Sequence, residues 1–235
     1  MERYFTLNTD AELICLLVAL ICLWNDKQLL WKFMIVFLLL TCITEMVGIN
    51  IKHRYINELD YIKSHPWFKA TVHPNVWIYN ILLVFQIVFI SLIFNDLFKK
   101  HVNSKPIIVG GLIILGVFYL VDFISHGPFI KHNITTIAAS VIFILYSLYY
   151  FYLLIKSDFY VDLWIYSGFW WAAGTLVFYF GNIASLVFFE ILEKLNPHFE
   201  VTVPIYKILN IILYSCWSYS FICRKWLTTR SKSLL

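Results

Sequence analysis

Glu45 lies inside an apolar run, FMIVFLLLTCITEMVGIN over residues 33–50, that reads as a membrane-spanning helix. A carboxylate near the centre of a bilayer costs roughly 3 kcal/mol unless it meets a partner or a water-filled pocket. The chemistry open to it is to hold a proton, neutralise a cation or hydrogen-bond a small ligand. Four further polar side chains interrupt apolar stretches: Asn80, Asn182, Asn210 and Lys207. At ~1.5 Å of rise per residue, Glu45 sits about 10 Å from the outer end of its helix, Asn80 and Asn210 about 9 Å and Asn182 about 12 Å. Lys207 is a turn shallower than Asn210. The spacing therefore predicts one polar layer in the outer half of the membrane, a ligand pocket lined by Glu45, Asn80, Asn182, Asn210 and Lys207. Each also has a structural alternative: a Glu45–Lys207 ion pair, interhelical hydrogen bonds for the asparagines, and snorkelling for the lysine.

Helical periodicity adds secondary candidates. Thr41, Glu45 and Gly48 share a stripe, as do Thr175 and Asn182, whereas Gln86 falls on a different face from Asn80. Tyr119, Asp122 and His126 follow one another at i, i+3 and i+7, with the last two at a helix end where solvation is expected. Thr136, Ser140 and Ser147 line a fifth helix. Asp122, His126, Thr136, Ser140 and Thr175 are thus the possible secondary contacts. No metal site or cofactor is expected, because the histidines do not gather in the apolar segments, and an enzyme would need a nucleophile at matching depth.

The elements that must position these groups follow from composition. Of 235 residues, 61% are hydrophobic and 14% charged, with a mean hydropathy of +0.77, values foreign to water-soluble domains. A bilayer core about 30 Å thick needs ~20 helical residues per crossing, so the length accommodates about seven crossings. Helices are predicted over about 9–24, 33–50, 76–97, 106–125, 134–155, 163–189 and 204–222. Thr9 with Glu12 three residues later reads as a capping box opening the first, which is expected to stay rather than be cleaved as a signal peptide. Pro106 suits a helical first turn. A short interfacial helix is expected near Tyr55–Ile62, and the glycines of helix six, Gly168, Gly174 and Gly181, predict close backbone approach. The tryptophans are read mainly as interfacial belt and packing. The five cysteines are read as reduced packing residues, because no loop holds a pair.

Basic residues set the orientation. Lys27, Lys32, Lys99, Lys100, Lys105, Lys156, Arg224, Lys225, Arg230 and Lys232 fall on one side. Arg3, Lys52, Arg54, Lys63, Lys69, Lys131 and Lys194 are spread over longer, carboxylate-containing segments on the other. The C-terminus is therefore expected in the cytoplasm and the N-terminus outside. There is no basic stripe for nucleic acid. Asn80-Ile-Leu-Leu in helix three echoes Asn210-Ile-Ile-Leu in helix seven, which suggests two parallel three-helix units joined by helix four, a 3+1+3 repeat.

Family signatures of retinal proteins, receptors, zinc-dependent ceramidase-like hydrolases and Pro-Gln transporters are absent. Glu45 with Gly48, Tyr79-Asn80, Phe169-Trp170, Asn210 with Leu213-Tyr214, and Phe221-Ile222-Cys223 instead resemble a functionally unassigned family of small bacterial seven-transmembrane-helix inner-membrane proteins. The resemblance covers nearly the whole chain; it implies a bacterial inner-membrane location and no particular activity. The expected function is small-ligand binding or sensing in an all-α bundle. A proton-coupled transporter is the alternative and an intramembrane enzyme a third reading. The partners expected are the lipid bilayer, an unknown small ligand and, for a sensor, a cytoplasmic or membrane partner protein.

Overall fold

The fold, a computed structural model, describes residues 7–57, 75–157, 162–195 and 202–227. Among these it is all-helical, with seven α-helices: α1 Leu7–Leu23, α2 Leu29–Asn57, α3 Val76–Phe98, α4 Lys105–His126, α5 Asn133–Lys156, α6 Ser167–Leu195 and α7 Thr202–Ile222. A π-type turn, Cys223–Leu227, continues α7. Four segments are long and apolar enough to cross a membrane: Leu29–Ile51, Val76–Phe98, Lys105–His126 and Asn133–Lys156.

Burial is inverted relative to a protein that folds in water. Ile113, Leu120, Ile124 and Ile155 are exposed on the outside, while Asn80, Asp96, Asp122, His132 and Ser147 are buried inside. Lipid tails solvate the first set, and the second must be satisfied by the protein itself.

The helices close a ring in the order α1, α2, α3, α5, α6, α7 and back to α1, with α4 outside it against α3 and α5. Because α4 touches only one side of the ring, it buries a single seam, Ile108, Gly111, Leu115 and Asp122. The ring is filled by aromatic side chains. Trp171 and Trp217 stack at 5.6 Å between centroids and 6° between planes, and Phe94 meets Trp171 edge-on at 5.1 Å. Trp31, Trp171 and Trp217 are each at most 1% exposed, so these three belong to the core and not to an interfacial belt.

Several boundaries differ from expectation. α2 begins at Leu29 because the Gln28 carbonyl accepts from the amides of Trp31 (3.1 Å) and Lys32 (3.4 Å), and it runs on to Asn57. The expected interfacial helix near Tyr55–Ile62 is thus in part the end of α2, and its remainder lies outside the described residues. α6 starts at Ser167, since Asp162 instead caps a turn by accepting from the Trp164 amide at 3.1 Å. Pro106 does fall in the first turn of α4. The glycines of α6 do allow close approach: a Cβ on Gly174 would lie 2.6 Å from Cys216 Cβ. The five cysteines are free thiols.

One end of the bundle is tied by a chain of charged contacts. Arg224 donates through Nε to Asp26 Oδ2 (2.5 Å) and through Nη2 to Asp26 Oδ1 (3.0 Å) and Gln28 Oε1 (3.0 Å). Its guanidinium lies 4.3 Å from the centroid of the Trp31 ring, and Trp31 Nε1 donates to Asp96 Oδ2 at 3.2 Å. Asp96 also pairs with Lys99. The ends of α3 and α7 are thereby fastened to the α1–α2 connection. Burial disfavours charge on Asp26, but hydrogen bonds from Arg224 and the Gln28 amide, with the charges of Arg224 and Lys32, outweigh it and hold the carboxyl below its ordinary value. A lowered folded-state value means stability that is present above the unfolded-state value and lost as pH falls through the folded one. Asp26→Asn is therefore expected to be about 1.5 kcal/mol less stable than wild type at neutral pH, with the gap closing below about pH 4, as read by unfolding in mixed micelles.

Candidate functional site

Glu45 is held by α3. Tyr79 Oη donates to Glu45 Oε2 at 3.2 Å, and Gly48, one turn further along α2, leaves the room for that hydroxyl. A Cβ at Gly48 would lie 2.6 Å from Tyr79 Oη. Glu45, Gly48 and Tyr79 therefore act as one unit: the glycine admits the ring, and the ring orients the carboxylate.

The interior holds a second carboxylate. Glu12 on α1 is 4% exposed. Tyr214 Oη of α7 donates to Glu12 Oε1 at 3.3 Å, while Glu12 Oε2 is buried with no hydrogen-bond partner among the described residues. This overturns the capping-box reading of Thr9 and Glu12. α1 already begins at Leu7, so Thr9 is inside the helix, and the carboxylate turns across the bundle rather than back to the helix start. Two acids are thus each held by a tyrosine of another helix, Glu45 of α2 by α3 and Glu12 of α1 by α7, and give the interior an acidic locus. Beneath it, Trp217 meets Tyr214 edge-on at 6.0 Å and donates through Nε1 to Thr175 Oγ1 at 3.2 Å.

The other expected site residues divide. Asn80 is buried, and its amide is engaged away from Glu45. Nδ2 donates to the carbonyls of Pro128 (2.8 Å) and Ile130 (2.9 Å), and Oδ1 accepts from the His132 amide at 3.4 Å. It latches the α4–α5 connection to α3, so its amide is engaged there and not with Glu45. Asn182 is 6% exposed, and its Oδ1 has no partner among the described residues. The preceding residue, Gly181, backs onto Leu209 so closely that a Cβ there would lie 2.5 Å from Leu209 Cδ2. Asn182 and Asn210 therefore stand at one level of the α6–α7 seam. Asn210 and Lys207 are half-buried, with Asn210 one turn from Tyr214 on the same face. Glu45 takes Tyr79 rather than Lys207 as its partner.

The secondary candidates are occupied locally. Asp122 is not solvated: it is 1% exposed, and its Oδ2 accepts from the Thr135 amide (2.7 Å) and hydroxyl (2.8 Å), capping α5 from α4. His126 Nδ1 lies 3.5 Å from Asp122 Oδ1 and stays 45% exposed. The hydroxyls of Thr136, Ser140 and Thr175 donate to the carbonyls of His132, Thr136 and Trp171. Gln86, off the expected layer, donates to Tyr179 Oη at 2.6 Å. No group of three His, Cys, Asp or Glu side chains suited to a metal ion occurs among the described residues.

Glu12, Tyr79 and Tyr214 are the site residues that periodicity missed. A signal existed for Glu12: it heads the stripe Glu12, Cys15, Ala19 and Cys22, all buried, along which α1 turns inward. Asn80→Ala is expected to remove the latch at a cost of about 3 kcal/mol, from three backbone groups losing their partner. Faster hydrogen exchange confined to the amides of 127–133 would report it.

Comparison with protein-family models, with curated proteins and with solved structures finds no match for this chain.

Proposed function

We propose that this chain is a seven-span protein of the bacterial inner membrane that binds or senses a small cationic ligand at the paired carboxylates Glu12 and Glu45. The observation that carries the reading is Glu12 Oε2, buried on α1 with no hydrogen-bond partner among the described residues, in a bundle whose α2 carries a second, half-buried carboxylate, Glu45. Two carboxylates sharing a desolvated site call for a proton or a cation between them, and a protonated amine supplies both charge and hydrogen-bond donors. Asn182 Oδ1 and Asn210, a turn nearer the outer end, are the groups left to orient such a ligand.

Seven crossings are supported by the outer surfaces of the remaining helices. Ile14, Leu17 and Ile21 of α1 are each about 60% exposed in one stripe, and Phe180 of α6 and Ile208 of α7 exceed half exposure. Such rows suit lipid and would be a liability in water. The inward side of the C-terminus is supported by Lys27, Lys100, Arg224 and Lys225 surrounding one cavity at a single end of the bundle, as the excess of positive charge on the cytoplasmic face requires. The ring order, with α1–α3 and α5–α7 adjoining and α4 outside, fits the 3+1+3 repeat.

Binding is favoured over transport because the hydroxyls that would mark a route inward are engaged: Thr41 with the Phe37 carbonyl at 3.0 Å, Ser147 with that of Phe143 at 2.8 Å. A sensor of this kind works through a cytoplasmic or membrane partner protein.

Purified protein is expected to gain thermal stability from members of a panel of small primary and quaternary amines. The gain should fall at least tenfold in apparent affinity in Glu45→Gln and in Glu12→Gln, since loss of a charge-assisted contact is worth roughly 1.5–3 kcal/mol. Stabilisation that survives both substitutions would sink the reading. Amine-driven proton flux in liposomes that requires Glu45 would replace binding with transport.

A further inference from the structure

The opposite end of the bundle holds a cavity of about 550 Å³ between the α1–α2 connection, the end of α3, the start of α6 and the turn after α7. Its charged lining is Lys27, Lys100, Arg224 and Lys225 against the carboxylate of Asp26. Asp26 is already matched by Arg224, and Lys225 donates to the Ile21 carbonyl at 2.6 Å at the end of α1. Lys27 and Lys100 are different: both are exposed, and neither has a carboxylate partner among the described residues. Lys100 Nζ rests 5.9 Å from the centroid of Tyr166, beside the start of α6.

Ser167 opens α6 and also lines the cavity. It is buried at 9% exposure, and its carbonyl is fixed by Ser220 Oγ at 2.8 Å. Four basic side chains against a single carboxylate around one cavity favour an anion with several acceptor oxygens. A cavity of this volume takes a phosphate group together with a small substituent.

We propose that this cavity binds a phosphate-bearing anion, held by Lys27 and Lys100. The same chemistry is presented by an anionic phospholipid headgroup and by a soluble phosphate, and basic pockets between helices on the cytoplasmic side are suited to the former. The site is independent of the carboxylate pair, which lies at the other end of α1.

The test is thermal stabilisation of the purified full chain in neutral detergent, at constant ionic strength. Titrants are inorganic phosphate, short-chain phosphatidylglycerol, and short-chain phosphatidylcholine as the zwitterionic control. The expected result is saturable stabilisation by phosphate or phosphatidylglycerol, and weaker or none by phosphatidylcholine. Apparent affinity should fall about fivefold in Lys27→Ala or Lys100→Ala and about 25-fold in both together, with Lys105→Ala and Glu45→Gln unchanged. Response to phosphate itself assigns a soluble ligand, and response to phosphatidylglycerol alone assigns a lipid headgroup. Equal stabilisation of wild type and the double lysine variant, or none by either anion, overturns the proposal. Both lysines are exposed, so the variants are expected to fold, and Lys27→Arg should retain the effect.

Discussion

The interior of this bundle is packed with apolar and aromatic side chains, so a polar group inside it is met by the protein itself, either by its own helix or by another. That constraint organises the contacts. Asp122 meets Thr135 across α4 and α5, Asn80 meets the α4–α5 connection, Gln86 meets Tyr179 across α3 and α6, and Trp217 meets Thr175 across α6 and α7. Hydrophobic burial alone would not choose among helix pairs whose surfaces are all apolar, because lipid solvates them equally well. Directional hydrogen bonds and close approach at small residues make the choice. The matching is incomplete at several buried atoms, among them Asn182 Oδ1 and one oxygen of Glu12, although Glu12 and Glu45 each receive a tyrosine hydroxyl. Of these atoms only Glu12 Oε2 belongs to an acid held by a tyrosine, and the proposed function rests there.

Much of the fold was legible in the sequence, because length and hydropathy alone set the helices that lipid demands. Boundaries failed where polar side chains, not hydropathy, end a helix. The run WIYSGFWW carries no charge and is mostly apolar, yet Asp162 caps a turn that delays α6 to Ser167. At the other end of the scale, α2 gains its first turn from a single backbone acceptor at Gln28.

The site was legible by half. Glu45 announced itself as a charge in an apolar run, but its partners are a tertiary matter. Asn80 and Tyr79 are neighbours in sequence and point about 100° apart on α3, so one latches a loop while the other reaches the carboxylate. Glu12 was concealed by a local pattern that explained it adequately, three residues after Thr9. The short motifs pairing Glu45 with Gly48, Tyr79 with Asn80, and Leu213 with Tyr214 contain the glycine and both tyrosines of the acidic locus, which gives those spacings a physical reason.

The measurement that bears most directly on the central claim is a double-mutant cycle on folding stability with Glu12→Gln, Glu45→Gln and the double variant. Two carboxylates in one desolvated site should give a coupling energy on the order of 1 kcal/mol or more. Additivity to within about 0.3 kcal/mol would mean that the two acids do not share a site, and would contradict the account.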